Sequence, residues 1–187
     1  MDVATIVERL KAALPGVEPE IGSATDQPTI IVPADRTVEV LTVLRDVPGL
    51  QFTFLSDLTA VDWWPGEPRF EVVYHLVSFE QTSRLRLKAR VSGATPHIQT
   101  VSGLWPAANW LEREVWDLFG IVFDGHPDLR RLLTPDDWEG HPLRKDYPVQ
   151  VSEPVTVLEP LELSEAQFRE SLRADRQARG GDPPQGS

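Results

Sequence analysis

Apolar positions recur at two different spacings along the chain, and the switch between them sets out its elements. Val3, Val7, Leu10 and Leu14 return every three or four residues, which predicts an amphipathic helix over residues 2–14, stopped by Pro15-Gly16. Short extended pieces are predicted near residues 17–21 and 29–32. Val38, Leu41 and Leu44 then restore the helical period, with Asp35 placed to cap this second helix and Pro48-Gly49 to end it. Over residues 51–61 the chain turns aromatic and β-branched, as a strand does, until Trp63-Trp64-Pro65-Gly66 closes it.

Two further strands follow at period two. Phe70, Val72, Tyr74 and Leu76 alternate with Glu71, Val73, His75 and Val77, and apolar residues on both faces predict a central strand covered on two sides. After a turn at residues 80–83, Leu85, Leu87, Ala89 and Val91 alternate with Arg84, Arg86, Lys88 and Arg90. Four of the eighteen basic residues thus share one strip, expected to be an edge or a solvated sheet face rather than a dock for an acidic partner. Residues 92–101 are expected to be connection, leading to a helix from about residue 106 to 119.

The period disappears after Pro148. Glu153, Pro154, Glu159, Pro160 and Glu162 predict an extended acidic arm ordered only along a partner. Ser164 with Gln167 forms a capping-box pattern, so a helix is expected over residues 165–179, before a tail of disordered-type composition at 180–187. The expected fold is α+β, with helices packed on a mixed, mostly antiparallel sheet of about five strands. Residues 1–148 form the domain and 149–187 the arm and tail.

Composition narrows the chemistry. A formal charge of −11 argues against nucleic acid or anionic lipid as partners of the net field. The absence of cysteine removes thiolate ligands, disulfides and thiol nucleophiles, so any redox centre must belong to another chain. Asp2, Glu8, Arg9 and Lys11 interrupt the N-terminal apolar residues, unlike a signal peptide, and no apolar run approaches the about 18 residues that span a bilayer. No G-x-G-x-x-G, P-loop or G-x-S-x-G is present, which leaves nucleotide and hydrolase chemistry without local support.

Residues 110–148 hold the remaining candidates. Asp124, His126, Asp128 and His141 are the right types for a metal or acid–base site, but fourteen residues separate the histidines and the aspartates sit where turns want them. Structural or interface roles are the better reading. Trp105, Trp110, Trp116 and Trp138, four of the six tryptophans, lie in or just before this stretch; core packing is expected for each, and an interface is the other use of such a cluster.

The runs Glu112-Arg113-Glu114, Trp116-Asp117-Leu118-Phe119-Gly120-Ile121, Phe123-Asp124-Gly125-His126-Pro127 and Arg130-Arg131-Leu132-Leu133 resemble the signature of the C-type subunit of NADH-quinone oxidoreductase, respiratory complex I. The likeness extends back through Leu58-Thr59-Ala60-Val61-Asp62 and Arg69 to Leu76, and forward to Pro142-Leu143-Arg144-Lys145-Asp146-Tyr147-Pro148. It is firm over residues 50–148. The resemblance implies a non-catalytic hydrophilic subunit in the peripheral arm of a proton-translocating NADH-quinone oxidoreductase, with no active site of its own. It would bind no cofactor; FMN, iron–sulfur clusters and quinone would lie in partner subunits. Its partners would be the large quinone-site subunit of the D type and the iron–sulfur subunits, at the cytoplasmic side of the cell membrane, attached peripherally. The alternatives are the equivalent subunit of a membrane-bound hydrogenase or formate-hydrogen lyase, a metal-dependent enzyme, or a soluble adaptor.

Projecting residues 110–119 at 100° per residue gives an apolar arc of Leu118, Leu111, Val115 and Phe119, extended by Trp116, with Arg113, Glu114 and Asp117 outside it or at its edge. Glu112 falls inside the arc. A buried carboxylate needs a cation, and Arg130, Arg131 or Arg144 is expected to supply it.

Overall fold

The computed structural model describes residues 1–93, 95–148 and 164–178, and the chain divides into two units, Met1–Pro148 and Val149–Ser187. In the first unit, α1 (Val3–Ala13) starts where Asp2 accepts the Thr5 N–H at 2.9 Å. β1 (Glu20–Ile21) and β2 (Thr29–Pro33) follow, then α2 (Thr37–Asp46). Asp35 does not cap α2: it lies in a one-turn 3-10 helix, Ala34–Arg36, and Arg36 precedes α2 without a side-chain cap. Pro33 starts that tight turn, which carries the chain past Asp35 before the helix begins.

β3 (Phe54–Asp62), β4 (Phe70–Ser78) and β5 (Ser83–Val91) complete a five-stranded sheet of order β1-β2-β5-β4-β3. Every pairing is antiparallel except β2 with β5. The inward positions stack in register, Tyr74 opposite both Leu58 and Leu87, Val72 opposite both Ala60 and Ala89. Against this face pack Ile6, Val7 and Leu10 of α1 and Val40, Leu41 and Leu44 of α2, all buried. Burial of each such side chain contributes about 1.5–3 kcal/mol, which is why period-two strands and period-3.6 helices converge on one core.

β4 is central, as its sequence predicts, but the main core lies on one of its faces. The other face carries the basic strip. β5 lies between β2 and β4 and is therefore not an edge; the strip is held by Arg86–Asp26 at 2.8 Å, Lys88–Glu71 at 3.0 Å and Arg90–Glu20 at 3.1 Å. Residues 92–101 are more than connection, because β6 (His97–Gln99) pairs in parallel with β7 (Val122–Asp124). Between them runs α3 (Ala108–Phe119), laid against β3.

In the second unit, α4 (Glu165–Ala178) carries the expected capping box: Ser164 Oγ accepts the Gln167 N–H at 3.3 Å and Gln167 Oε1 the Ser164 N–H at 3.0 Å. The expected acidic arm at residues 149–163 and the tail at 180–187 lie outside the described residues.

Candidate functional site

Helix α3 is covered on two sides. Val115 and Phe119 are buried against the core, with Leu111 and Leu118 partly buried beside them, as the apolar arc predicts. The chain after β7 returns over the other side with no helix or strand up to Pro148. This return buries Arg113 and Asp117, at 5% and 0% exposure, both of which an isolated helix would leave outside its apolar face.

Asp117 is the hub of the return. Its Oδ2 accepts the N–H groups of Leu132, Leu133 and Thr134 at 3.0, 2.7 and 2.9 Å, while Oδ1 accepts Arg131 Nη1 at 2.8 Å and the Thr134 hydroxyl. Burial pushes this carboxyl up, but the Thr134 hydroxyl and the three N–H groups outweigh it and hold the pKa well below its ordinary value. Arg131 Nη2 also donates to the carbonyls of Trp138 at 2.6 Å and Gly140 at 3.2 Å. Arg113 donates to the carbonyls of Arg130 and Arg131 and lies 4.8 Å from the Trp110 ring centroid. Together these donors fix backbone that has no ladder of its own.

A second anchor sits at the C-terminus of α3. Arg144 Nε donates to Phe119 O at 2.6 Å, Leu143 N to Leu118 O at 3.0 Å and His141 Nδ1 to Asp117 O at 2.9 Å. A cation is favoured there by the helix dipole. Gly120 ends the helix at φ +72°, and a Cβ at that position would lie 2.5 Å from His141 Nε2 and 2.6 Å from Arg144 Nη2. Gly120→Ala is therefore expected to destabilise the domain by about 2–3 kcal/mol, from left-handed backbone strain plus displaced anchors. Chemical denaturation checks this, and a loss below about 0.5 kcal/mol would mean the anchors move freely.

The third anchor ties the return to the sheet. Arg69 donates to Asp62 through Nε and Nη2 at 3.0 and 2.8 Å, and to Asp146 through Nη1 and Nη2 at 3.0 and 2.7 Å. Asp62 also accepts the Lys145 N–H at 2.9 Å. Burial raises the Asp62 pKa, but Arg69 and the N–H groups of Lys145 and Trp64 bring it down to about 2.

The other signature residues fall around these anchors. Phe123 is buried in β7, Gly125 turns at φ +80°, and Pro127 lines a surface cleft. Arg130 is exposed and pairs with Asp128, Glu114 is partly buried, and Tyr147 donates to Glu139 O at 3.2 Å before the exposed Pro148. Among the described residues, no group of three or more His, Cys, Asp or Glu is arranged to hold a metal.

Glu112 is buried, at 0% exposure, but not with an arginine. Its Oε1 accepts the Val101 N–H at 2.7 Å and its Oε2 the Thr100 hydroxyl, while Arg131 and Arg144 serve Asp117 and the end of α3. The expected ion pair is overturned because Arg131 is drawn to Asp117 on the return side of α3, Arg144 to the carbonyls at the helix C-terminus, and Arg130 to Asp128 at the surface. Thr100 and Thr134 carry contacts to Glu112 and Asp117 that periodicity could not single out; the turn pattern Thr134-Pro135-Asp136-Asp137 is the local signal at the second of them.

Of the four clustered tryptophans, only Trp105 is a core residue, its Nε1 donating to Thr53 O at 3.0 Å. Trp116 is partly buried, its ring 6.3 Å from that of His141. Trp110 and Trp138 are exposed at 59% and 42%, with Leu133 and Leu143 at 60% and 51%. The caged return thus presents apolar side chains outward, as a docking face does.

Residues 30–153 match the sequence model of the family described as respiratory-chain NADH dehydrogenase, 30 Kd subunit. The chain is 51% identical over 155 residues to the C-type subunit of NADH-quinone oxidoreductase from Roseiflexus sp. (strain RS-1), covering 82% of this chain and 88% of that one. It is 44% identical over 145 residues to its counterpart from Moorella thermoacetica, covering 78% and 95%. Among solved structures, a trypsin-resistant fragment of Nqo5 superposes with a TM-score of 0.57 at 36% identity, covering 69% of this chain and all of the fragment. A chain of the archaeal membrane-bound sulfane sulfur reductase shares the fold, with a TM-score of 0.65 at 24% identity over 98% of this chain and 95% of that one.

Proposed function

We propose, from the premise that the chain belongs to the 30 kDa subunit family of respiratory-chain NADH dehydrogenases, that it is a non-catalytic docking subunit of such a complex. The observation that carries this reading is the return over α3, fixed by three polar anchors while Trp110, Leu133, Trp138 and Leu143 point outward. Its partners would be the large quinone-site subunit and the iron–sulfur subunits, which would hold the FMN, clusters and quinone. The chain has no cysteine with which to ligate a cluster. Among the described residues no helix is long and apolar enough to cross a membrane, so attachment would be through the complex, at the cytoplasmic face. A hydrogenase or formate-hydrogen lyase role is not favoured, since the relatives at 51% and 44% identity are both named as C-type subunits of NADH-quinone oxidoreductase.

Native purification through a tag on this chain tests the reading. Cluster-bearing subunits and NADH-to-quinone activity are expected to co-purify, whereas the chain alone should be colourless and oxidise no NADH. A stoichiometric flavin or cluster on the isolated chain would sink it.

A further inference from the structure

Glu112 is the fully buried ionisable residue of α3 that takes no part in fixing the return. Its carboxylate is enclosed by four elements: its own helix, the residues just after β6, β4 and the loop after β7. Thr100 and Val101 supply its two donors. His126 Nε2 lies 3.8 Å from Oε2, yet both ring nitrogens are engaged by backbone groups. Nε2 donates to Asn109 O at 3.1 Å and Nδ1 accepts the Asp128 N–H at 3.0 Å. A carbonyl only accepts and an N–H only donates, so the ring's proton sits on Nε2 and the ring supplies no counter-charge.

The fourth wall is Tyr74 of β4. Its hydroxyl is fully buried and, among the described residues, is a side-chain polar atom with no hydrogen-bond partner. Burial first, then the Glu112 charge, pushes its pKa up, so it remains a donor in search of an acceptor. Outside this enclosure, a cleft of about 550 Å³ is lined by Thr100, Ser102, Gly103, Pro106, Asn109 and Pro127. Two of those residues, Thr100 and Asn109, also contact Glu112 or His126 directly. The Thr100 side chain is therefore shared between the carboxyl and the cleft.

We propose that Glu112 is a buried proton-binding site, neutral while the turn at residues 100–103 is closed over it and ionised when that turn opens and admits water from the cleft. The hydrogen bonds accommodate the neutral form. A protonated carboxyl donates to Thr100 Oγ1, and the threonine's own hydrogen turns to Ser102 Oγ at 2.9 Å. Ionisation instead demands donors, of which Tyr74 is the one unused. The other charged groups nearby face away: Arg113 and Asp117 serve the return, and the exposed His97–Asp124 pair at 3.0 Å closes β6 on β7. Tyr74 and His126 are thus the titratable side chains that face the site.

Burial raises the Glu112 pKa from 4.5 to about 7, against the opposing pull of Thr100 and the Val101 N–H. The group is raised, so its contribution to stability is complete below 4.5 and gone above about 7. The closed segment is accordingly tightest in mild acid and loosens toward neutrality.

The test uses the full chain with carboxyl-labelled glutamate, titrated by NMR, alongside amide exchange at Val101 and Leu104 corrected for intrinsic pH dependence. One glutamate is expected to titrate near pH 7 and to vanish in Glu112→Gln, whose amide can donate to Thr100 while its oxygen still accepts from Val101. Protection at Val101 and Leu104 should fall at least about tenfold from pH 5 to pH 8 in the unaltered chain and stay level in Glu112→Gln. Tyr74→Phe should move the midpoint upward, because the anion loses its spare donor. A Glu112 midpoint below pH 5.5, or protection that does not change with pH in the unaltered chain, overturns the proposal.

Discussion

Asp117→Asn is expected to destabilise the chain by about 3–5 kcal/mol, the loss typical of removing one partner from a buried ion pair. The asparagine keeps the volume but has only one acceptor oxygen. Five donors now converge on the two oxygens, three of them backbone N–H groups. An amide must therefore turn its own NH₂ toward either the N–H groups or the Arg131 guanidinium, and Arg131 loses its counter-charge as well. Denaturant unfolding measures the loss, while limited proteolysis should show cleavage first in residues 128–140. A change under about 1 kcal/mol would mean that the return does not depend on this hub.

The pH dependence follows from the same group. Its pKa is depressed, so its contribution is present above the unfolded value of 3.8 and is lost as pH falls below that value. Asp117→Asn should accordingly flatten the acid limb of the stability profile. Glu112→Gln acts at the other limb, and the two carboxyls five residues apart on α3 differ because one is filled with donors and the other has two.

What the sequence disclosed was periodicity. The strict alternation of β5 placed Leu85, Leu87, Ala89 and Val91 in the core, and the arc on α3 placed Val115 and Phe119 there. A helical projection treats a helix as packed on one side only, and it failed where α3 is covered twice. Arg113 and Asp117 project as peripheral because the return that buries them has no period to read. Glu112 was placed correctly inside the core, but its partners lie eleven and twelve residues back in a segment of no distinct pattern, around β6. β6 and β7 are three residues each, too short for alternation to register. The outward apolar surface was not legible from periodicity, since exposure of Trp110 and Trp138 depends on which way the return folds.

The second large effect is expected at Arg69. Arg69→Ala should cost about 3–4 kcal/mol, most of it through Asp62. The Asp62 side chain is 2% exposed and keeps a charge that its N–H donors alone satisfy incompletely; the Asp146 side chain is 44% exposed, so that limb contributes about 1 kcal/mol or less. Arg69→Lys should recover little, because one ammonium cannot present the paired donors that the planar fork offers two carboxylates at once. Its guanidinium also lies 4.8 Å from the Phe70 ring centroid, a contact lysine would loosen. Adding Asp62→Asn to Arg69→Ala removes the stranded charge and should restore about 1–2 kcal/mol, so the double-mutant cycle separates a buried-charge penalty from lost packing. Acid supplies an independent check: with the Asp62 pKa at about 2 against 3.8 unfolded, the ion pair's contribution holds above pH 3.8 and fades between there and about 2. In Arg69→Ala that acid loss should shrink. Strictly additive single and double variants would show that Arg69 acts only by packing on Phe70, and the staple holding residues 144–146 to the sheet would have to be sought elsewhere.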